Sequence, residues 1–227
     1  MTRAPLPPGQ HAYPRLERFG LGWFAGNLDF AHDVLNLRIE GAVARPGTVT
    51  GMAGLPRAAQ CSDFHCVTTW SVYDLRWSGV RFADFHAHCV AHFGVANDAT
   101  LVVFHGMDGY RSALPLADLL ASDVMLAERL AGEALPLAHG APLRLLAPAH
   151  YGYKNVKHLA KIEYLRNTRG YRFAFPYPQF VEHPRARVAL EERARGWPAW
   201  LLRPFYRLLA PLVRRRSRRT LAHHQVE

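Results

Sequence analysis

Apolar and polar residues alternate along several short stretches of the chain, and this pattern predicts strands. In residues 34–40 every second position from Leu35 to Ile39 is apolar, as in a strand with one buried face. Short apolar runs bounded by turn residues predict three more buried strands, at residues 101–104, 143–146 and 162–165. Residues 124–130 run into Ala131-Gly132, which is typical of a hairpin.

Helical spacing is restricted to two segments of the central chain. Residues 82–93 carry apolar residues three or four positions apart and are followed by Gly94, a common stop signal. Residues 114–120 predict a short helix after the Asp108-Gly109 turn. Many short strands with few helices predict an α+β fold, mixed and mostly β, with short helices. No glycine-rich phosphate fingerprint follows a strand, which argues against nucleotide-binding folds.

Composition divides the 227 residues into three parts. Residues 1–32 are rich in Pro and Gly and predict an extended N-terminal arm, whereas residues 33–190 predict one globular domain. Residues 191–227 form a basic, amphipathic, Pro-interrupted tail. Because Pro breaks helices, the prolines at 198, 204 and 211 predict short turns there and no long helix.

The net charge of +10 is a property of the tail. Eight arginines lie in its acid-free stretch, which leaves only +2 for all other residues: Arg195, Arg203, Arg207, Arg214, Arg215, Arg216, Arg218 and Arg219. Three interpretations of the tail remain open. Its apolar face packs on the domain beside a basic end, or Trp197–Arg219 contacts a membrane surface or membrane partner. Nucleic acid is the least favoured.

Targeting signals give a prediction about location. The N-terminus has no apolar region typical of a signal peptide, and no run of 18 uncharged apolar residues predicts a spanning helix. Three cysteines, an odd number, do not form a disulfide framework. We therefore expect a cytoplasmic protein, with peripheral membrane contact through the tail as an option.

Residues 62–80 hold the most unusual chemistry of the chain. Cys66 follows His65 and precedes a Thr-Thr-Trp-Ser turn, and Trp77 leads into a Ser-Gly turn. A lone cysteine is usually a small buried apolar residue. The small polar residues and two indoles around Cys66 are instead typical of one side of a cofactor-binding site, where a thiol acts as a soft ligand to a large polar cofactor. A metal would deprotonate such a thiol by coordinating it.

Residues 137–161 contain all three lysines of the chain, Lys154, Lys157 and Lys161. An ammonium group is a good partner for phosphate, and Gly152 allows backbone N–H groups to approach the same anion. The alternative is a solvated helix face with Lys157 and Lys161 four positions apart.

Histidines offer two weaker candidates. His86, His88, Cys89 and His92 share the predicted helix, so a zinc site is an alternative, although no CxxC or HExxH spacing supports it. A solvated helix face with a buried Cys89 is the favoured interpretation. His105 follows a predicted strand, and a loop histidine is slightly favoured over a cofactor contact.

Three separated motifs carry a resemblance to a known family. The segment Cys66-Val-Thr-Thr-Trp-Ser71, followed by Trp77-Ser-Gly-Val80, resembles the cofactor-ligand segment of the sulfite oxidase superfamily, the molybdopterin-binding oxidoreductase domain. His139-Gly-Ala-Pro-Leu-Arg144 and Tyr151-Gly-Tyr-Lys-Asn-Val-Lys157 resemble its pterin-binding segment.

Two further segments extend this resemblance, which runs from about Leu35 to Arg187. Pro7–Gln10 is similar to an N-terminal arm that members of the family often carry. Val181-Glu-His-Pro-Arg185 resembles the end of the bacterial methionine-sulfoxide-reducing branch.

The resemblance implies a sulfite-oxidase-type fold and a molybdopterin (Mo) cofactor, with Cys66 as catalytic residue and sole protein ligand to molybdenum. It implies cofactor contacts at nine positions: His65, Thr68, His105, His139, Arg144, Lys154, Asn155, Val156 and Lys157.

The implied reaction is two-electron oxygen-atom transfer on a small oxyanion or an S- or N-oxide. Because no haem or iron–sulfur motif is present, we expect a separate electron-transfer partner, with a membrane haem protein as one hypothesis. Two other classes stay open. One is a non-enzymatic module that docks on membrane or nucleic acid and has a structural Cys66, and the other is a zinc protein using His86–His92.

Overall fold

Two β-sheets and three α-helices make up the part of the chain that the computed structural model describes, residues 5–17, Phe24, 34–174 and 177–224, without the side chains of residues 216–224. The strands are β1 (His11–Ala12), β2 (Leu37–Gly41), β3 (Gly47–Val49), β4 (Arg57–His65), β5 (Trp70–Arg81), β6 (Leu101–Gly106), β7 (Arg111–Pro115), β8 (Met125–Leu130), β9 (Glu133–Ala134), β10 (Arg144–Leu146) and β11 (Leu159–Leu165). The α-helices are α1 (Phe82–Phe93), α2 (Leu116–Leu119) and α3 (Ala199–His224). Single 3₁₀ turns are Leu137–His139, Gly152–Lys154 and Gln179–Val181.

The two sheets have different topologies. In the first, the described strands run in the order β1-β5-β8-β10, with β4 paired to β5 and β9 to β8. In the second the order is β3-β2-β11-β6-β7. Most pairs are antiparallel, but β1 runs parallel to β5 and β2 runs parallel to β11. Strand β5 therefore lies inside the first sheet, where it pairs with both β4 and β8, and the β4–β5 connection holds Cys66.

The main core lies between the sheets and α1. Buried residues of both sheets meet there, including Ile39, Phe104 and Ile162 from the second sheet and Leu126 from the first. Helix α1 contributes the buried face predicted from its spacing and ends at Gly94, which has φ 65°. This core supports one side of the first sheet and leaves the Cys66 connection outside it.

Most predicted elements are present with shifted ends. The strand predicted at 34–40 spans Leu37–Gly41, and the hairpin after residue 130 forms between β8 and β9. The predicted helix at 114–120 is helical only over Leu116–Leu119, because Leu114 and Pro115 belong to β7.

The predicted Ser-Gly turn after Trp77 is wrong. Ser78 and Gly79 lie inside β5, where the pairing with β8 shifts register. A side chain at Gly79 would meet the carbonyl oxygen of Leu126 at 2.0 Å. Glycine is therefore needed at residue 79 because β5 and β8 approach closely at this bulge, which leaves no room for a side chain.

The prediction that prolines break the tail into turns is also wrong. Helix α3 runs through both Pro204 and Pro211. Both prolines lie on its exposed side, where water can satisfy the backbone carbonyls that lose their partners. Among the described residues, no helix is both long and apolar enough to cross a membrane.

The predicted arm packs against the first sheet where it is described. His11 and Ala12 pair with Trp70 and Ser71 of β5. The rest of the predicted arm, residues 1–4, 18–23 and 25–32, lies outside the described residues. The division at residues 32 and 190 stays a prediction.

Candidate functional site

Cys66 occupies a tight connection between β4 and β5. Its N–H donates to the carbonyl oxygen of Trp70 at 2.8 Å, and the N–H of Thr69 donates to the carbonyl oxygen of Cys66 at 3.1 Å. Thr69 has φ 76°, a left-handed conformation that β-branched residues rarely adopt. The surrounding contacts hold this strained turn in place and fix the direction of the Cys66 side chain.

The thiol of Cys66 is buried. The residue is only 6% exposed, packs against Trp70 and Val72, and has its Sγ 3.2 Å from Thr68 Oγ1. Burial raises the pKa of the Cys66 thiol. A protonated thiol is a poor nucleophile, whereas a coordinating metal would remove the proton outright. The setting therefore favours a ligand over a nucleophile.

A chain of hydrogen bonds connects the described arm to this turn. Gln10 Nε2 donates to the carbonyl oxygen of Cys66 at 3.2 Å, and Ser71 Oγ donates to Gln10 Oε1 at 3.0 Å. His65 Nδ1 lies 2.7 Å from Ser71 Oγ and must be its donor, because the serine proton is already used. Burial lowers the pKa of His65, so its ring is neutral and Nε2 is an acceptor.

Gln10 is a site residue that the sequence reasoning missed. The Pro7–Gln10 segment was matched to the family, but no role at the cysteine was assigned to any of its residues.

Arg144 is a buried cation whose hydrogen bonds within the described residues go to neutral groups. It is 1% exposed, and its guanidinium lies 5.7 Å from the ring centroid of Phe64 and 5.1 Å from that of Trp77. Its N–H groups donate to three carbonyl oxygens, those of His139, Leu145 and Asn155. Burial lowers the pKa of Arg144 to about 10. Within the described residues no carboxylate pairs with it, which is the arrangement expected where an anion binds.

Two further basic side chains lie beside Arg144. A side chain at Gly140 would meet Cβ of Arg144 at 3.0 Å and Cβ of Lys157 at 3.2 Å, so these two residues flank the glycine. His139 Nδ1 is buried and has no hydrogen-bond partner among the described residues. Burial, then Lys157 and Arg144, lowers the pKa of His139 to about 4. We call His139, Arg144 and Lys157 the basic cluster.

The ring of Phe64 connects the basic cluster to the cysteine turn. Besides Arg144, it lies 6.0 Å from the ring of Trp70 and belongs to the same apolar cluster as Cys66. A side chain at Gly152 would meet Phe64 Cζ at 2.3 Å. Motifs far apart in the sequence thus meet at one aromatic ring.

Asn155 and Val156 hold the loop beside the basic cluster. Asn155 Oδ1 accepts the N–H of Ala147 at 2.6 Å, and its Nδ2 donates to the carbonyl oxygen of Tyr151 at 3.4 Å. The carbonyl oxygen of Val156 accepts the N–H of Leu145 at 2.9 Å. Their contacts with a cofactor stay predictions, and what the geometry gives them is a positioning role.

Lys154 points its ammonium group into a different network. Nζ donates to Glu182 Oε1 at 2.6 Å and to the carbonyl oxygen of Ala113 at 2.7 Å, and both charged groups are buried. Burial lowers the pKa of Lys154 to about 8, although Glu182 opposes the shift. The predicted cofactor contact of Lys154 stays a prediction, and its ammonium is already paired.

Two local interpretations from the sequence are wrong. His105 is not in a loop: it lies in β6, with Nε2 2.8 Å from Glu163 Oε2 on β11. Lys157 and Lys161 do not share a helix face, because Lys161 lies in β11 and contacts Glu40 at 3.1 Å. A cofactor contact of His105 stays a prediction.

The histidines of α1 do not converge on a metal site. The rings of His88 and His92 stack with centroids 3.9 Å apart, while Cys89 is fully buried in the core. In the described ranges no group of three or more His, Cys, Asp or Glu residues is arranged to hold a metal ion. The solvated face with a buried Cys89 matches the geometry.

Helix α3 also reaches the cysteine turn, which sequence reasoning missed. Arg214 lies over the rings of Tyr13 at 4.0 Å and Trp70 at 5.6 Å. Just before the helix, Arg193 is fully buried and donates to the carbonyl oxygen of Val67. The signal was the helical spacing of Tyr206, Ala210 and Val213, which the prolines obscured.

Comparisons with known proteins give one family match and several relatives. Residues 26–171 match the family described as oxidoreductase molybdopterin binding domain. The chain is similar to an uncharacterized oxidoreductase, YuiH of Bacillus subtilis (strain 168): 33% identity over 170 residues, covering 72% of this chain and 80% of that protein.

Two more distant likenesses involve longer proteins. The protein-methionine-sulfoxide reductase catalytic subunit MsrP of Xanthomonas campestris pv. campestris is 26% identical over 185 residues, 71% of this chain and 57% of MsrP. The crystal structure of the sulfane dehydrogenase SoxCD from Paracoccus pantotrophus has a TM-score of 0.54 at 21% identity, covering 62% of this chain and 40% of that one. This likeness confirms the predicted α+β, mostly β fold.

Proposed function

Since the chain belongs to the oxidoreductase molybdopterin binding domain family, we propose that it catalyses two-electron oxygen-atom transfer with Cys66 as the ligand to molybdenum. It is an enzyme and its cofactor is molybdopterin, as the family requires. The alternative of a non-enzymatic docking module is therefore wrong, and a zinc protein has no support in the described geometry.

The observation that supports the proposal most is that Phe64 packs with the cluster of Cys66 and also lies under the guanidinium of Arg144, a member of the basic cluster. The donors fit the group in kind: a buried thiol suits a soft metal, and the buried guanidinium of Arg144, which donates to neutral carbonyl oxygens among the described residues, suits a phosphate. The unpartnered Nδ1 of His139 is one more buried polar atom that awaits a partner. When bound, the cofactor supplies the transfer of two electrons together with an oxygen atom.

The protein residues have separate roles in this proposal. Gln10 and Trp70 fix the backbone of Cys66, so the thiol is held in one direction before metal binds. Arg144 and Lys157 offset the negative charge of the pterin phosphate. Phe64 and Trp77 cover the guanidinium of Arg144 and keep water away from it, which strengthens its attraction for an anion.

We propose an S-oxide as substrate, with reduction as the direction. The support is the similarity to MsrP, whose name states methionine-sulfoxide reduction, together with the Val181–Arg185 segment. In the fold this segment is anchored by Glu182, whose Oε1 accepts bonds from Ser112 and Lys154. The chain spans only 57% of MsrP, so the substrate rests on the shared part.

We also propose a separate electron donor. MsrP is named a catalytic subunit, which implies a further subunit for that protein. A membrane haem protein is the donor class that we expect here, because the reduction needs two electrons and the sequence has no haem or iron–sulfur motif.

Metal analysis by mass spectrometry tests the proposal on protein made in a host that builds the pterin. Wild type, Cys66→Ser and Cys61→Ser are compared, since Cys61 is an exposed cysteine five residues away. We expect near-stoichiometric molybdenum in wild type and Cys61→Ser and almost none in Cys66→Ser. Equal molybdenum in all three proteins would contradict ligation by Cys66.

Activity is measured separately, with a chemically reduced dye as electron donor for the reductions and an oxidised dye as electron acceptor for sulfite oxidation. Turnover of methionine sulfoxide, but not of sulfite, nitrate or an amine N-oxide, is the expected result. Turnover of sulfite in the oxidising direction would overturn the substrate assignment and leave metal ligation standing.

A further inference from the structure

Helix α3 has two apolar faces, of which one is used by the fold. Tyr206, Ala210 and Val213, at spacings of four and three, are buried against the domain. The opposite face carries Leu201, Phe205, Leu208 and Leu212, which are 40%, 58%, 77% and 66% exposed. Residues three or four positions apart lie on the same face of a helix, and the two rows are out of phase with each other. They therefore lie on opposite sides of α3.

The exposed face forms a patch and not a scatter of residues. Eleven large apolar side chains are exposed in the described part of the chain, and six of them fall between Trp197 and Leu212. Single exposed apolar residues are normal, but a continuous stripe of this kind marks a surface that contacts something else.

The charges around the stripe indicate what covers it. Arg207 and Arg215 are exposed beside it, and no Asp or Glu occurs between Glu192 and Glu227. Positive charges beside an apolar stripe complement the anionic headgroups and acyl chains of a lipid surface. The exposed indoles of Trp197 and Trp200 favour the same boundary, since Trp combines an apolar ring with a polar N–H.

We propose that α3 docks this protein on an anionic lipid surface, lying in the plane of the headgroups with Leu201, Phe205, Leu208 and Leu212 inserted. A second copy of the chain is a poorer occupant, because pairing two such faces brings arginines against arginines. Nucleic acid is poorer too, since it gives the apolar stripe nothing to contact.

The inner contacts keep α3 on the domain during docking. Arg203 Nε donates to Glu191 Oε1 at 2.8 Å, and Arg214 covers Tyr13 and Trp70. None of these groups belongs to the outer stripe, so lipid insertion needs no rearrangement of the cysteine turn. The proposal is independent of the cofactor assignment, because it rests only on the surface of α3.

Vesicle flotation of the full chain tests the proposal without any assay of catalysis. Vesicles are made of phosphatidylcholine alone or mixed with phosphatidylglycerol. We expect the protein to float only with the mixed vesicles, and less of it as salt is raised, because the attraction is partly electrostatic. The double substitution Leu208→Asp and Leu212→Asp should reduce binding about tenfold or more.

The matched control changes two exposed apolar residues outside α3, Val90→Asp and Leu120→Asp, and should bind as wild type does. Circular dichroism checks folding, and Arg207→Gln with Arg215→Gln gives an independent variant that should also weaken binding. Failure of wild type to float, or equal flotation of both aspartate doubles, would overturn the proposal. A wild-type dimer that becomes a monomer on Leu208→Asp and Leu212→Asp would also overturn it, because the face would then belong to a second copy of the chain. Binding to an acidic protein without binding to lipid would overturn it as well.

Discussion

Gly152 and Phe64 are in such close contact that a Cβ at residue 152 would lie 2.3 Å from Cζ of the ring. The aromatic ring cannot move away easily, because it is packed among Trp70, Cys66 and Arg144. One contact therefore sets the spacing between the cysteine turn and the segment that leads to the basic cluster.

Replacing Gly152 by Ala should destabilise the protein and disturb cofactor retention. We expect a loss of about 1–3 kcal/mol in the free energy of unfolding, because a methyl group is forced into a filled space. Denaturant unfolding measures it. Gly54→Ala is the matched control, since a side chain there meets nothing within 4 Å, and it should change stability by less than about 0.5 kcal/mol.

Replacing Arg144 by Met should separate cofactor binding from folding. Retained pterin, measured by the fluorescence of its oxidised form, should fall about tenfold or more because the buried cation for the phosphate is gone. Stability of the cofactor-free protein should change little: three carbonyl groups lose a donor, but an unpaired buried charge is removed. Exposed Arg129→Met should retain wild-type pterin, and unchanged retention in Arg144→Met would argue against a phosphate contact.

Acidification should destabilise the cofactor-free protein partly through His139. Its pKa in the fold, about 4, lies below the ordinary value of 6.5, so the unfolded chain takes up the proton first as the pH falls. The stability from this group is present above pH 6.5 and is lost as the pH approaches 4.

His139→Gln should therefore lose less stability than wild type on acidification. Between neutral pH and about pH 5 the difference should be about 1–2 kcal/mol, a discounted value because the ring is partly exposed. Denaturant unfolding at both pH values measures it. Parallel pH curves for the two proteins would show that the imidazole is solvated.

Alkylation of the cofactor-free protein should report how α3 covers Cys66. Tyr206 is buried on the inner face of α3, and Arg214 of the same helix lies over Tyr13 and Trp70, which pack in the cluster that contains Cys66. Tyr206→Ala should accelerate modification of Cys66 but not of Cys89, which lies on the buried face of α1. Peptide mass spectrometry follows each cysteine, and Cys61 should react first in every protein because it is exposed. Phe205→Ala on the outer face should leave the Cys66 rate unchanged.

Local patterns were enough to predict α1 and the strands β2, β6, β8, β10 and β11, since those signals extend over a few residues, but they did not predict the long hairpin β4–β5. They failed where a distant partner decides the conformation. Gly79 adopts a bulge because β8 crosses it, and Pro204 is tolerated because the opposite face of α3 is packed.

The resemblance to the family identified Cys66 and Arg144 as candidates, but the surroundings of these residues depend on long-range contacts. Packing between segments far apart in the chain puts Phe64 between these two residues. It also pairs Lys154 with Glu182.

The contacts of Arg193 have a consequence for biosynthesis. Its guanidinium donates to the carbonyl oxygens of Val67, beside the cysteine, and of Gly9 in the arm. Segments from the two ends of the described chain therefore both cover the cysteine turn. The β4–β5 hairpin, its partner strand β8 and the basic cluster are all synthesised before Arg193, which follows Val67 by 126 residues. The turn thus passes through a period in which it is formed but still open. Loading of a large cofactor is expected during that interval, and its exchange should be slow once the chain is finished.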